Sequence, residues 1–367
     1  MRTILIAIVT LGVLLGGGLV RAADNKPTTS SGPTEYNGKS LKQWVEEINP
    51  QKQRDPGLRV RAIQAITVFD PDLASKEASS ILVEAIDDGD TSIRVNALIA
   101  LALIGVHDSV QKKALHALTR QLNEDSQGIV RLHAAVVIGT MDTAGRAAIP
   151  ALIYRSKDLA SYEIRKQCII ALGRVGQMDE KNSVDMKAVN ALIGVVAGNF
   201  ERSADSSAEV RLSAVMALGG MGVPATPAEK QVMVTGLQNA LKDPQKIIQI
   251  WARVSLMKVD GVDDKHIAGI LEHIRGKDAT CKVEAIRALG FVGPKAMKQA
   301  YKEIVELLND KDQGLVANAA WALGEWGEAA EDALPALEKV YASKDLDERL
   351  KPVIRDAIDG VKGKKKN

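Results

Sequence analysis

The feature that most constrains the fold of this 367-residue chain is a repeated helical motif. Copies such as SIRVNALIALALIG around Ala97 and EVRLSAVMALGGMG around Ala214 share a small residue, a second small residue three positions later and an aliphatic residue at the fourth. The mean interval of about 37 residues is typical of stacked supersecondary units. Eight copies align on the small residue, at Ala62, Ala97, Ala134, Cys168, Ala214, Ala252, Ala285 and Ala319.

Each copy predicts the second helix of a helical hairpin, because its small residues permit close helix approach and its aliphatic residues form one stripe. An amphipathic stretch precedes each copy, as at 77–88 and 302–310. One hairpin cannot bury its own apolar face, so the hairpins are expected to stack. The sequence therefore predicts an all-α fold, a right-handed α-solenoid of about eight stacked helical hairpins. Glycines in the left-handed conformation are predicted to cap five second helices, at Gly105, Gly176, Gly222, Gly293 and Gly327.

The turns and first helices carry two further motifs. A proline lies in the first helix at Pro150 (AAIPAL) and Pro335 (DALPAL). In three copies an aspartate precedes a second-helix arginine by six residues, in the pairs Asp88/Arg94, Asp125/Arg131 and Asp205/Arg211.

With the repeat itself, these motifs resemble HEAT-type helical repeats, in particular the short subclass first recognised in phycobilisome lyases. The resemblance covers roughly residues 55–361. It implies a HEAT-like fold with a structural ladder of the aspartates and arginines above. The ladder should be incomplete in the last three copies, where Gln249, Lys282 and Val316 replace the arginine.

The chain ends predict export and flexible segments. Residues 1–22 have the basic start, apolar stretch and small-residue cleavage site of a signal peptide, with an uncleaved N-terminal membrane anchor as the alternative. Residues 23–38 are polar and rich in Pro, Ser and Thr, which predicts a flexible linker. The repeat solenoid is then expected over 39–361 and a basic tail over 362–367. The expected location is the periplasm or the extracellular space.

Chemical motifs exclude several classes of function. The sequence has no H-E-x-x-H, C-x-x-C, G-x-S-x-G or Walker motif, so no catalytic residue, metal site or cofactor is predicted. The formal net charge is only +2, and the arginines of 1–22 and the tail lysines account for more than this excess. Nucleic acid is therefore not an expected partner, nor is a membrane beyond residues 1–22. Cys168 and Cys281 occupy repeats too far apart for a disulfide, which predicts two buried free thiols.

In HEAT-like solenoids the second helices line the concave surface, and the resemblance implies the same placement here. On that side the register brings together Trp251, Phe291 and Trp321, beside Arg287. Such rings either form a hot spot for a partner, with few intramolecular contacts of their own, or fill gaps in the stack. Trp326 belongs instead to the packing row. The candidate partner-binding residues are Trp251, Arg287, Phe291, Trp321, His133, Gln167, Arg174 and Lys258.

Two functions remain open at this stage. The first is a non-enzymatic exported scaffold that binds a protein or peptide partner through the concave face. The alternative is an enzyme or cofactor-attachment protein of the bilin-lyase type, although those lyases act inside the cell. Neither the partner nor the oligomeric state follows from the sequence.

Overall fold

The computed structural model describes residues 32–181, 183–196 and 207–364. In this part the chain is almost entirely helical, with a few 3₁₀ turns and one two-stranded hairpin. It divides into two compact units, with the boundary between Met221 and Gly222. The predicted signal segment 1–22, most of the predicted linker and Asp205 lie outside the described residues.

The first unit begins with the strands β1 (Glu35–Tyr36) and β2 (Lys39–Ser40), which pair antiparallel. Its ten helices then follow in chain order through the described residues. They are α1 (Leu41–Ile48), α2 (Pro56–Ile66), α3 (Pro71–Ala85), α4 (Thr91–Ile104), α5 (Gln111–Glu124), α6 (Gly128–Thr140), α7 (Ile149–Arg155), α8 (Tyr162–Val175), α9 (Met186–Val196) and α10 (Ala208–Gly220).

The second unit continues the alternation of first and second helices. Its helices are α11 (Pro227–Ala240), α12 (Lys246–Asp260), α13 (Asp264–Arg275), α14 (Ala279–Val292), α15 (Met297–Glu306), α16 (Gln313–Trp326), α17 (Leu334–Tyr341) and α18 (Lys351–Val361). Each odd-numbered helix packs against the even-numbered helix that follows it, in both units. Both units are therefore α-solenoids of helical hairpins, which confirms the predicted fold class.

The described residues form nine hairpins, numbered 1 to 9 from α1–α2 to α17–α18, rather than about eight. The sequence motif missed hairpin 9 because its second helix lacks the run of apolar residues found in the other copies. That helix nevertheless packs closely, since a Cβ at Gly324 of α16 would lie 2.8 Å from the Cα of Ala357 in α18.

The second helices begin and end at residues that cap helices. Asp90, Asp278 and Asp312 accept backbone hydrogen bonds at the N-termini of α4, α14 and α16. Four of the five predicted glycine caps adopt positive φ angles, at Gly105, Gly222, Gly293 and Gly327. Gly176 does not, with a φ of −88°. Space rather than backbone conformation requires glycine there, because a Cβ would lie 2.7 Å from the Cβ of Ala188.

Within each unit, successive second helices pack more closely than successive first helices. Small residues make this approach possible. A Cβ at Gly173 of α8 would lie 2.6 Å from the Cβ of Ala217 in α10. Because one second helix accompanies each first helix, the closer spacing places the second helices on the inner side of each stack.

The start of the solenoid is closed by the strand hairpin and Trp44. The indole Nε1 of Trp44 donates to the carbonyl oxygen of Tyr36 at 3.0 Å, and the two rings lie 6.4 Å apart. Trp44 is buried, as expected of a residue that covers a terminal repeat. The predicted linker therefore ends earlier than residue 38, since Glu35 and Tyr36 already belong to the folded unit.

Candidate partner-binding surface

Three aromatic side chains from successive second helices of the second unit form a continuous row. Trp251 lies on α12, Phe291 on α14 and Trp321 on α16. The ring centroids of Trp251 and Phe291 are 5.3 Å apart, and those of Phe291 and Trp321 are 5.4 Å apart. Both contacts have interplanar angles of 60°, a tilted arrangement that aromatic rings favour. We call Trp251, Phe291 and Trp321 the aromatic row.

Trp251 is the best-anchored member of the aromatic row. Only 5% of its surface is exposed, and its Nε1 donates to Oε2 of Glu284 on the next second helix at 2.9 Å. The other oxygen of Glu284 accepts from Arg287 at 3.0 Å. Of the two alternatives, gap filling describes Trp251 better, because α14 covers this ring and supplies a hydrogen-bond acceptor. Trp251 is therefore the buried end of the aromatic row, against which Phe291 packs.

Phe291 and Trp321 differ from Trp251 because both remain partly exposed. The indole of Trp321 lies against the backbone of Gly290, where a Cβ would come within 2.5 Å of the ring atom Cζ3. Glycine at this position therefore lets the ring lie flat on α14 beside Phe291. These two rings are the accessible part of the aromatic row.

Substitution of Gly290 by alanine tests this close contact. Alanine normally stabilises a helix interior relative to glycine by about 0.5–1 kcal/mol, but here its Cβ must displace the Trp321 ring. We expect Gly290→Ala to lower the melting temperature. The matched control is Gly194→Ala in α9, where a Cβ meets nothing within 4 Å and should raise the melting temperature. A stabilising Gly290→Ala would contradict the described position of Trp321.

Lys258 gives the aromatic row a positive charge. Its Nζ lies 6.0 Å from the centroid of Phe291, the outer limit of a cation–π contact. Partial burial of the side chain lowers the pKa of Lys258, and among the described residues no carboxylate pairs with it. The residue as a whole is nevertheless exposed. A positive charge beside apolar rings is thus open to a partner.

The remaining predicted surface residues belong to the first unit. His133 on α6 and Gln167 and Arg174 on α8 are all half-buried. Burial lowers the pKa of His133, so this side chain favours its neutral form. No row of stacked rings comparable to the aromatic row occurs among the described residues of this unit. Among the described residues, a row of stacked and partly accessible rings is therefore a feature of hairpins 6 to 8.

Trp326, the second tryptophan of α16, serves packing as predicted. Only 2% of its surface is exposed, and its Nε1 donates to the carbonyl oxygen of Leu289 in α14 at 3.1 Å. It therefore lies between two successive repeats, away from the accessible rings. The two tryptophans of α16 have different roles.

The predicted aspartate–arginine ladder is present in the first unit, with its ion pairs between repeats. Arg94 donates to the backbone carbonyl of Asp88, six residues earlier, and to both carboxylate oxygens of Asp125 in the next repeat, at 2.8 and 3.3 Å. Arg59, which sequence reasoning missed, pairs with the carboxylate of Asp88 at 2.8 Å. Arg59 and Arg94 therefore each link one repeat to the turn of the next repeat.

The ladder changes after hairpin 3. Arg131 donates to the backbone carbonyl of Asp125, but its Nε is buried without a hydrogen-bond partner. Arg211 is buried at the start of α10, and its predicted partner Asp205 lies outside the described residues. In the second unit, Gln249 keeps the bond to the turn by donating to the carbonyl of Asp243 at 2.7 Å. A glutamine can retain this contact, although it carries no charge for an ion pair.

Both cysteines are free and buried, as predicted. Burial raises the pKa of Cys168 to about 12 and is also the main cause of the raised pKa of Cys281. The thiols therefore act as small apolar residues. In the part of the chain that the structure describes, no three His, Cys, Asp or Glu side chains are grouped to hold a metal ion. No helix within the described ranges is long and apolar enough to cross a membrane.

These stacked hairpins define a helical-repeat solenoid. Comparison with protein families identifies which kind, because a profile of HEAT repeats matches residues 44–139 and 267–355, together half of the chain. The chain belongs to the HEAT repeat family. No curated protein matches the sequence.

Several solved structures are similar to this chain at low identity. An engineered protein matches with 18% identity and a TM-score of 0.46, covering 88% of this chain and 89% of its own. A designed armadillo repeat protein in complex with the peptide (KR)4 matches with 20% identity and a TM-score of 0.48, over 60% of this chain and all of its own. The complex of CpcE and CpcF of phycocyanin lyase from Nostoc sp. matches with 17% identity and a TM-score of 0.44, over 77% and 94%.

Proposed function

We propose that this HEAT-repeat protein is a non-enzymatic exported scaffold that binds a protein or peptide partner through hairpins 6 to 8. The observation that carries the proposal is the accessible part of the aromatic row, with Lys258 beside it. Aromatic side chains are enriched among the residues that dominate binding energy at interfaces. A HEAT solenoid offers a surface suited to such binding, because its inner helices present side chains that stacking does not fully bury.

The chemistry of this surface favours a particular class of partner. Phe291 and Trp321 offer apolar area, while Lys258 has no carboxylate partner within the described part of the chain. Arg287 is already paired with Glu284. The best match is a peptide that places an acidic side chain beside an aliphatic or aromatic one, since it would neutralise Lys258 and cover the rings.

Selection from a random phage-displayed peptide library tests this proposal. We expect enriched peptides to carry Asp or Glu next to an apolar residue. The matched variant is Lys258→Glu, which should change the selected sequences toward Lys and Arg because it reverses the charge beside the rings. Enrichment of the same sequences by both proteins would contradict a role for this surface.

The proposed export predicts a processed N-terminus. Residues 1–22 should be removed, so the protein recovered from an extracytoplasmic fraction is expected to begin near Ala23. Mass spectrometry of the intact protein measures this directly. Recovery of uncleaved Met1–Arg21 in the membrane fraction would support the anchor instead.

A further inference from the structure

At one position, the second helix of hairpin 6 differs from all the other second helices that carry the repeat motif. The residue after the aligned small residue is apolar and completely buried in the other hairpins that carry the motif. In α12 this position holds Arg253. The corresponding buried residues are Ile63, Leu98, Ala135, Ile169, Val215, Ile286 and Ala320.

The facing first helix departs from the repeat in a complementary way. Four residues before the buried leucine or isoleucine at its centre, a first helix normally carries a buried alanine or methionine. In α13 this position holds His266, four residues before Ile270. The corresponding residues, all fully buried, are Ala78, Ala114, Ala148, Ala188, Met233, Ala300 and Ala333.

These two departures meet at one place. The guanidinium of Arg253 lies directly on Gly269 of α13, where a Cβ would come within 2.3 Å of the Arg253 Cζ. His266 and His273 lie one turn before and one turn after Gly269 on the same helix. A cation therefore sits between two histidines at the packing surface of α12 and α13.

The hydrogen bonding at this contact is incomplete. Nε of Arg253 and Nδ1 of His266 are both buried without a hydrogen-bond partner. A neutral His266 can accept a hydrogen bond, whereas a protonated one can only donate. Protonation would therefore remove the one acceptor that this pair contains and place two positive charges side by side.

Other charged groups reach the same contact. Burial and the positive charge of Arg253 lower the pKa of His266, and burial with the charges of Lys246 and Arg253 lowers the pKa of His273. Acidic groups oppose this only in part, and some are already paired. The charged residues that act on one or both histidines, besides Arg253, are Lys246 and Asp260 of α12, Asp263, Lys265 and Glu272 of α13 and the loop before it, and Asp278 before α14. Asp260 is paired with Lys230 of α11, and Arg275 of α13 is paired with Glu303 of α15.

We propose that protonation of His266 and His273 at acidic pH loosens the packing of α12 against α13, so that hairpins 6 and 7 form an acid-sensitive joint within the second unit. Because both histidines favour the neutral form in the folded unit, the folded state binds fewer protons than the opened state below pH 6.5, the ordinary histidine pKa. Packing is complete above that pH and weakens as the pH falls below it. Trp251 lies on α12 two residues from Arg253, so loosening would disturb the support of the aromatic row. This last step rests on the function proposed above.

Hydrogen exchange of the full chain, measured by mass spectrometry at pH 7.5 and pH 5.5 and corrected for intrinsic exchange, tests the joint without any partner. We expect protection of α12 and α13 to fall by about threefold or more at the lower pH. In the double variant His266→Ala with His273→Ala, where the first change restores the residue most common at that position, less than half of that fall should remain. Arg253→Ile keeps both histidines and should also reduce the fall, so the test survives if the double variant folds poorly.

The matched control is His116→Ala, an exposed histidine on α5 of the first unit. It should leave the acid response of α12 and α13 unchanged. Equal protection of wild type at both pH values would overturn the joint. The joint would also be overturned if both test variants kept the full loss of protection at the lower pH. It would be overturned as well if His116→Ala abolished that loss. None of these results depends on whether the aromatic row binds a peptide.

Discussion

Replacement of Trp326 by alanine should lower the free energy of unfolding of the second unit by about 3–5 kcal/mol, the usual result of removing a large core side chain. The ring is almost completely buried between α14 and α16, and its removal also breaks the hydrogen bond from Nε1 to the carbonyl oxygen of Leu289. Urea unfolding followed by intrinsic fluorescence measures the change, because Trp251 and Trp321 remain in the same unit as reporters.

The control for this measurement is Tyr154→Ala. Tyr154 is 67% exposed on α7, so its removal should change stability by less than about 0.5 kcal/mol. Trp251→Ala should resemble Trp326→Ala, since both rings are buried and hydrogen-bonded. If Trp326→Ala were as mild as Tyr154→Ala, the assignment of Trp326 to the packing between repeats would be wrong.

Replacement of Asp125 by alanine is expected to destabilise the first unit by about 3–5 kcal/mol, because it leaves the charge of Arg94 buried without its partner. The side chains of Arg94 and Asp125 are only 11% and 5% exposed, and two hydrogen bonds join them. Thermal unfolding followed by circular dichroism measures the loss.

An exposed ion pair between the same two hairpins gives the comparison. Glu84 and Lys113 are 2.9 Å apart, with side chains 55% and 58% exposed. Glu84→Ala should therefore change stability by less than about 1 kcal/mol. Equal effects of the two substitutions would show that the ladder does not hold successive repeats together.

The repeat architecture could be predicted because every copy must satisfy the same packing requirement. Small residues such as Ala97 and Ala214 recur where second helices approach, and burial of both is complete. The contact between the three rings could also be predicted, since the register alone places Phe291 between Trp251 and Trp321. Periodicity determines such features, because a helix fixes which residues share a face.

Other features depend on neighbouring elements that periodicity does not describe. Sequence register could not show that Glu284 accepts a hydrogen bond from Trp251, which makes a surface position a buried one. It also did not show which residues of the ladder form ion pairs, because the carboxylate of Asp88 pairs with Arg59 of the preceding repeat and not with Arg94. Hairpin 9 was missed because close packing at Gly324 and Ala357 replaces its apolar pattern.

Repeat alignment contained one signal that sequence reasoning did not use. Arg253 and His266 interrupt two rows of residues that are otherwise buried and almost entirely apolar. Such departures from a repeat mark places where stability is exchanged for another property. The structure brings the two departures together, which the sequence could not do without the pairing of α12 with α13.

The most direct test of the central claim is the affinity of a library-selected peptide for the wild-type protein and for Trp321→Ala, measured by fluorescence anisotropy of a labelled peptide. We expect Trp321→Ala to weaken binding by at least about tenfold, as the loss of an interface hot spot does, with Tyr154→Ala as the control that binds like wild type. Circular dichroism would confirm that Trp321→Ala remains folded. Equal affinities of the wild type and a folded Trp321→Ala would contradict binding at the aromatic row.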